Sequence, residues 1–240
     1  MKFLLSLLLS GKLLKLLATS GTMLLSVFAY ALVFGWMYSA GLVAMIFTHE
    51  MGHYLAARQK GLDVGAPVFI PFVGAFIAMK EMPMDSETEA YVGMAGPLVG
   101  SVAAVLCYFL ARQYDSQLLL AISYSGFFIN LFNLIPISPF DGGRITGVIS
   151  PRIWLLGVPF FILLFLYRPS PLLVMMAILA APSLIQAWRH NPEDEESARY
   201  YNSPLETRLA YGALYLGLAA YLAVMSYEVR AMLEMGMAAD

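Results

Sequence analysis

The sequence predicts an all-α membrane protein, a polytopic bundle of six or seven transmembrane helices with one β-like re-entrant loop. Of its 240 residues 60% are hydrophobic and 12% are charged, and the mean hydropathy is +0.73. Soluble domains are about 45–50% apolar and about 25% charged, so a soluble fold would have too few polar residues to cover its surface. The net charge is −2, whereas a nucleic-acid-binding protein usually has an excess of basic residues. Cys107 is the single cysteine, so an intrachain disulfide is excluded.

Seven apolar segments approach the length of about 20 residues that a helix needs to cross a hydrocarbon core about 30 Å thick. They lie near residues 18–38, 39–59, 90–111, 117–137, 153–167, 170–188 and 207–230. The fifth is short and has prolines around it, so the fifth and sixth could form one broken hairpin. Before them, residues 1–17 predict an amphipathic helix at the membrane interface, because Lys12 and Lys15 interrupt the apolar run that a signal peptide needs.

The positions of lysine and arginine predict the orientation, because basic residues concentrate in cytoplasmic loops. With seven spans and a cytoplasmic N-terminus, eleven of the fourteen basic residues lie inside. The polar stretch 189–208 is then predicted to be a solvated cytoplasmic loop. Residues 1–240 are expected to form a single membrane-embedded domain, with its chemistry in a core at 39–150 and C-terminal helices of unassigned role at 151–240.

The second apolar segment contains three ionisable side chains, His49, Glu50 and His53. Such groups are costly inside a membrane and usually mark function. Histidines at i and i+4 lie on one helical face, so both imidazoles can bind one metal ion, and Glu50 lies about 100° round the helix, where it can reach a metal-bound water. The alternative is a pair of buried, hydrogen-bonded histidines without a metal.

A catalytic zinc takes three protein ligands and a water, which leaves one ligand to be found. Position 59, where a third histidine could follow, is Gln59. Glu81, Glu87 and Glu89 lie in a charged loop that could equally be a solvated face. Asp141 follows two prolines that break the fourth segment, and irregular backbone at that depth is tolerated where it lines a protein interior. Its alternative interpretation is an ordinary Asp-Gly turn.

The stretch 67–79 (PVFIPFVGAFIAM) is rich in β-forming residues. It predicts an edge strand on which an extended substrate could pair, with Gly74, Ala75 and Phe76 as substrate-binding residues. The alternative is an apolar re-entrant loop packed on the bundle.

Two asparagines lie on the fourth segment, one turn apart. Asn133, with Asn130 before it, could donate hydrogen bonds to a developing oxyanion or to the substrate backbone. The alternative for both is a contact that joins helices inside the membrane.

Two motifs together resemble the site-2 proteases, the intramembrane zinc metalloproteases. Their signatures are HExxH in one transmembrane helix and N-x-x-P-x-x-P-x-D-G in a later one, which match residues 49–53 and 133–142 here. Gly96-Pro97 and the loop 71–80 are similar to further family features, and the resemblance covers about 39–150. It implies one zinc ion per chain on His49, His53 and Asp141, with Glu50 as general acid and base. The PDZ and CBS modules of other members are not expected.

The function predicted is hydrolysis of peptide bonds within or near transmembrane segments of other membrane proteins. This would serve regulated intramembrane proteolysis or the clearance of signal peptides. The expected partners are a transmembrane protein substrate and membrane lipids. The expected location is a prokaryotic inner membrane, with an organelle membrane as the alternative. The alternatives are a metal transporter, which should show repeated ligand sets, and a catalytically silent module that binds membrane helices.

Overall fold

The described part of the chain is mostly helical. A computed structural model describes residues 12–79 and 83–237, so the predictions for residues 1–11 and for Glu81 lie outside the described residues. Within those ranges it has nine α-helices, one 3-10 helix and one hairpin of two strands. The elements are α1 (Lys12–Phe34), α2 (Trp36–Gln59), β1 (Val64–Ile70), β2 (Gly74–Met79), α3 (Ser86–Gln113), α4 (Gln117–Asn133), α5 (Asp141–Gly147), the 3-10 helix (Pro151–Leu156), α6 (Gly157–Tyr167), α7 (Pro171–Arg189), α8 (Glu195–Tyr201) and α9 (Leu205–Met237).

Each of the seven predicted apolar segments is mostly helical, but three bounds differ. The first segment extends past α1 into α2, the fourth extends past the end of α4, and the fifth combines part of the 3-10 helix with α6. Three helices of the described chain are long and apolar enough to cross a membrane, namely Leu17–Phe34, Ser86–Gln113 and Leu205–Gly236. Shorter apolar helices accompany them. Several apolar helices in one chain are consistent with an integral membrane protein, while the number of spans stays a prediction.

Helix α3 lies at the centre of the bundle and packs against α2, α4 and α5. It begins at Ser86 because the carboxylate of Asp85 accepts a hydrogen bond from the Thr88 N–H at 2.7 Å, which satisfies a free donor of the first turn. Buried Ala104, Phe127 and Ile145 join α3, α4 and α5 in one hydrophobic core, to which α9 adds Leu222. This core holds together the helices that carry the polar motifs.

The prediction of β structure at 67–79 is confirmed, but the stretch belongs to an antiparallel hairpin of two strands rather than to a single edge strand. Val68 pairs with Phe76 and Ile70 with Gly74, and β1 packs on α1 and α2. Gly74 has a φ of +129°, a conformation that only glycine adopts without strain, so it lets the chain turn back at the start of β2.

An irregular segment that is buried except at its prolines and Ser138, residues 134–140, joins α4 to α5. Pro136 and Pro139 cannot donate to a helix ladder, and α4 ends at Asn133 just before them. The Tyr215 hydroxyl donates to the Leu134 carbonyl at 2.5 Å, and the Trp154 indole N–H donates to the Gly143 carbonyl at 2.8 Å. Side chains of neighbouring elements thus donate hydrogen bonds to backbone carbonyls at the start of this segment and just after it, and they fix where α5 begins.

The prediction of a solvated loop at 189–208 is wrong in part, because this stretch contains α8. The Asp194 carboxylate accepts from the Ser197 N–H at 3.2 Å and starts that helix. The Tyr200 hydroxyl then donates to Glu89 of α3 at 2.6 Å. Burial, with Glu89 beside it, raises the pKa of Tyr200, so this hydroxyl remains a donor. Hydrophilic composition alone does not reveal such a tertiary contact.

Candidate metal centre

The two histidines of α2 lie one turn apart with their rings facing the same point. Their Nε2 atoms are 3.1 Å apart, and both side chains are buried. The helix carries them into the bundle on its buried face, together with Ser39, Val43 and Ile46. The i, i+4 spacing therefore has the geometric result that the sequence predicts.

Asp141, the first residue of α5, completes a triangle with them. Its Oδ2 lies 3.1 Å from Nε2 of His49 and 3.2 Å from Nε2 of His53. Four ligands placed tetrahedrally 2.0–2.1 Å from a zinc ion are about 3.3 Å apart, close to these separations. The three atoms therefore have the chemistry and the spacing of one face of a zinc site.

The outer nitrogen of each imidazole is held by an acceptor. Nδ1 of His53 donates to the Val92 carbonyl at 2.7 Å. Nδ1 of His49 lies 2.8 Å from Oδ1 of Asn130, whose amide Nδ2 donates to the Gly126 carbonyl at 2.7 Å. That second bond fixes which way the amide points, so His49 must be the donor to Oδ1.

This arrangement has an electrostatic consequence. A neutral imidazole that carries its proton on Nδ1 has a lone pair on Nε2. In His49 and His53 both lone pairs converge with a carboxylate oxygen of Asp141 in a buried place, and the three repel one another unless a positive charge is shared among them. A divalent metal ion would supply that charge, and hydrogen-bonded outer nitrogens are the usual support of metal-binding histidines.

Glu50 lies beside the triangle. Its carboxylate is buried, and with His49 and His53 it forms a group whose ligand atoms all lie within 4.8 Å of one another. In the part of the chain that the structure describes, such groups of His, Cys, Asp or Glu residues are confined to this site. Glu50 is thus near enough to act on a water at the metal.

Glycines of α3 make room for the site. A β-carbon on Gly96 would overlap the His53 imidazole, and one on Gly100 would overlap the Asn130 amide. One on Gly93 would lie 2.9 Å from Cβ of Arg144, next to the Asp141 carbonyl. Glycine at these positions lets α3 pack closely against the His53 ring, against Asn130, which contacts His49, and against the start of α5.

A cavity opens onto these groups. Its walls include Asn133, Arg144 and, from β2, Ala75 and Phe76. An adjoining apolar cavity, which Gly74 also lines, extends along β2 towards α7. The hairpin therefore lies directly beside the candidate metal ligands.

The structure brings together most of the residues that the sequence singles out. Glu87 is exposed and Glu89 accepts from Tyr200, so neither lies in the group around His49. Asn133 lines the cavity while its Nδ2 donates to the Ile129 carbonyl at 3.0 Å.

Asn130 is placed differently from the prediction of a substrate-binding residue. It is buried, and both ends of its amide are engaged, by His49 and by Gly126. The sequence reasoning also missed Gly93 and Gly100, although glycines three and four residues apart on an apolar helix are a signal of close helix packing.

Comparison with known proteins identifies the family. The model of peptidase family M50 matches residues 37–117. A zinc metalloprotease of Methanocaldococcus jannaschii is 29% identical over 116 residues, which are 46% of this chain and 33% of that protein. The chain therefore spans about a third of that relative's length. A solved site-2 protease structure from the same archaeon has a TM-score of 0.44 and 20% identity, covering 72% of this chain and 88% of the other.

A second protein of that archaeon, named as a candidate zinc metalloprotease, is 30% identical over 133 residues. The match covers 46% of this chain and 69% of the relative. Because the alignment covers most of that relative, the resemblance predicted from the two motifs is confirmed at the level of the family. The chain belongs to peptidase family M50, the family of the site-2 proteases.

Proposed function

We propose that this protein is an intramembrane zinc metalloprotease. His49, His53 and Asp141 would hold one zinc ion per chain, and Glu50 would be the general acid and base. The observation that carries the proposal is the convergence of two imidazole Nε2 atoms and one carboxylate oxygen, all 3.1–3.2 Å apart, with both Nδ1 atoms held by acceptors.

When bound, the zinc would lower the pKa of its water to about 7 and polarise the scissile carbonyl. Glu50 would accept the proton of that water and pass it to the leaving amine, a task for which a carboxylate beside the metal is suited. Asn133, at the cavity wall, has a second amide hydrogen beyond the one it gives to Ile129. We expect it to donate to the developing oxyanion.

The substrate we expect is an extended stretch of a transmembrane or membrane-proximal segment. A helical substrate has its carbonyls hydrogen-bonded, so it must unwind before attack. Strand β2 has one neighbour, β1, within the described sheet, and its Ala75 and Phe76 line both cavities. An edge strand beside the metal ligands would pair with the unwound backbone, with Gly74, Ala75 and Phe76 in contact with it.

We further propose a multi-pass protein of six or seven spans with a cytoplasmic N-terminus in a prokaryotic inner membrane. The excess of basic residues at one set of loops supports this orientation. Residues 1–240 would act as one membrane-embedded domain, and its partners would be the protein substrate and lipids.

The first experiment counts zinc ions per chain after purification in detergent. Wild type and Glu50→Gln should each hold about one zinc, whereas Asp141→Ala should lose most of it. Glu87→Ala is the matched control, since it removes an exposed carboxylate and should retain the metal. If Asp141→Ala keeps its zinc, the third ligand lies elsewhere and the proposed ligand set is wrong.

A second experiment separates the enzyme from its alternatives. Wild type should cleave a transmembrane test substrate in vesicles, and Glu50→Gln should bind zinc without cleaving. Zinc binding without cleavage by the wild type would favour a silent binding module. Zinc uptake into protein-containing vesicles would favour a transporter.

A further inference from the structure

A polar pocket lies between the ends of the C-terminal helices, on different residues from the metal centre. It is formed where the 3-10 helix, the end of α7, α8 and the start of α9 meet. The polar residues that line it are Ser150, Arg152, His190, Ser197, Tyr201, Asn202 and Arg208. None of the described residues that line it is acidic.

Both arginines are held in place by backbone carbonyls. The Arg152 Nη2 donates to the His190 carbonyl at 3.4 Å, and Arg208 donates through Nε to Ser203 at 2.9 Å and through Nη2 to Tyr201 at 3.2 Å. Carbonyls orient a guanidinium but do not neutralise it. Each guanidinium has five N–H donors, so donors are left over for an anion.

The groups between the arginines are also suited to an anion. Nδ1 of His190 lies 3.2 Å from the Ser197 hydroxyl. The Ser197 backbone N–H donates a hydrogen bond to the Asp194 carboxylate. Asp194 is thereby engaged as a helix cap rather than as a counter-ion of the pocket. Hydroxyls, an imidazole and two guanidinium groups from four chain segments are the donors that proteins use for phosphate.

We propose that this pocket binds a phosphate group, carried either by an anionic lipid headgroup or by a soluble phosphate compound. The pocket lies at helix ends, where a headgroup can reach it. Ile149 and Ser150, in its wall, lie two and three residues after the end of α5, so a bound phosphate would hold in place the chain that leaves the helix beginning with Asp141. The proposal does not depend on the proteolytic function.

The test titrates inorganic phosphate into the full chain in detergent, with sodium chloride at equal ionic strength as the salt control, and follows the unfolding temperature. Phosphate should raise the unfolding temperature of wild type in a saturable way. Arg152→Gln should raise the half-saturating concentration at least tenfold. Arg199→Gln, a neighbouring exposed arginine outside the pocket, is the matched control and should behave like wild type.

Arg208 also joins two backbone carbonyls, so its replacement tests folding as well as binding. Arg208→Lys keeps the charge and should weaken phosphate binding less than Arg208→Gln does. A phosphate effect that is equal in wild type, Arg152→Gln and Arg199→Gln would overturn the proposal, because it would be a general salt effect.

A lipid arm distinguishes the two sources. The protein is reconstituted in phosphatidylcholine vesicles with or without phosphatidylglycerol, and retained lipid is counted after extraction. Retention of phosphatidylglycerol that inorganic phosphate displaces, and that Arg152→Gln loses, indicates a lipid site. Phosphate binding without such retention indicates a soluble ligand, and the absence of both overturns the proposal.

Discussion

Helices α3 and α9 are both long apolar helices, yet they differ in what surrounds them. Each qualifies as a candidate membrane span, but 44% of the most apolar stretch of α3 is buried against 6% of that of α9. Helix α3 packs between α2, α4 and α5, whereas α9 lies on the outside of the bundle, with Leu216, Val224 and Tyr227 exposed.

One glycine from the middle of each helix shows the same contrast. A β-carbon on Gly96 of α3 would overlap the His53 ring, whereas one on Gly217 of α9 would have nothing within 4 Å. Overall hydropathy therefore does not distinguish the helix that supports the site from the one that faces outward. The spacing of small residues does, because close approach to a ligand requires the absence of a side chain.

The largest effect is expected from Gly96→Ala. The added methyl group would displace the His53 imidazole, whose Nδ1 is held by Val92 and whose Nε2 faces the candidate metal position. We expect zinc affinity to fall at least tenfold, and cleavage to fall with it, since a displaced ligand cannot complete the site. Zinc titration in detergent measures this.

Circular dichroism would show that the Gly96→Ala variant still folds. Zinc affinity equal to wild type would mean that α3 can shift away from His53. The close packing of α3 would then not be needed for the metal centre.

The next effect is expected from Asn130→Ala on α4. The substitution removes the acceptor of the His49 N–H, and the loss of such an outer contact typically costs 10–100-fold in metal affinity. Asn133→Ala, one turn later, is the matched control: its amide donates within its own helix and should not alter zinc binding. Equal zinc loss in both variants would show that α4 is merely destabilised.

The sequence was sufficient to predict the helices and the three groups that converge. The i, i+4 spacing of His49 and His53 fixes their common face, and the prolines before Asp141 indicate an interruption inside the bundle. The sequence did not predict which side chains contact these groups from other helices. The contact of Asn130 with His49 depends on how α2 and α4 face each other, which no local pattern contains.

A smaller effect is expected from Tyr200→Phe, which tests the contact between α8 and α3. The variant loses the 2.6 Å hydrogen bond to Glu89, and a bond to a partly buried carboxylate is worth about 1.5–3 kcal/mol. We expect the unfolding temperature in detergent to fall by about 2–4 °C per kcal/mol lost, with zinc binding unchanged. Tyr227→Phe, at an exposed site of α9, is the control. An unchanged unfolding temperature would mean that α8 is not held by this contact.

The smallest effect is expected from Gly217→Ala, the counterpart of Gly96→Ala on the outer helix. With nothing within 4 Å of the new methyl group, the remaining effect is the helix preference of alanine over glycine, about 0.5–1 kcal/mol in favour of the folded chain. The unfolding temperature should stay the same or rise slightly, and zinc affinity should equal that of wild type. Because the chemical change is identical in the two variants, the difference between them isolates the contact with His53 from the effect of losing a helical glycine. Zinc loss in Gly217→Ala comparable to that in Gly96→Ala would contradict this comparison, since it would show that the metal centre responds to a glycine that does not approach it.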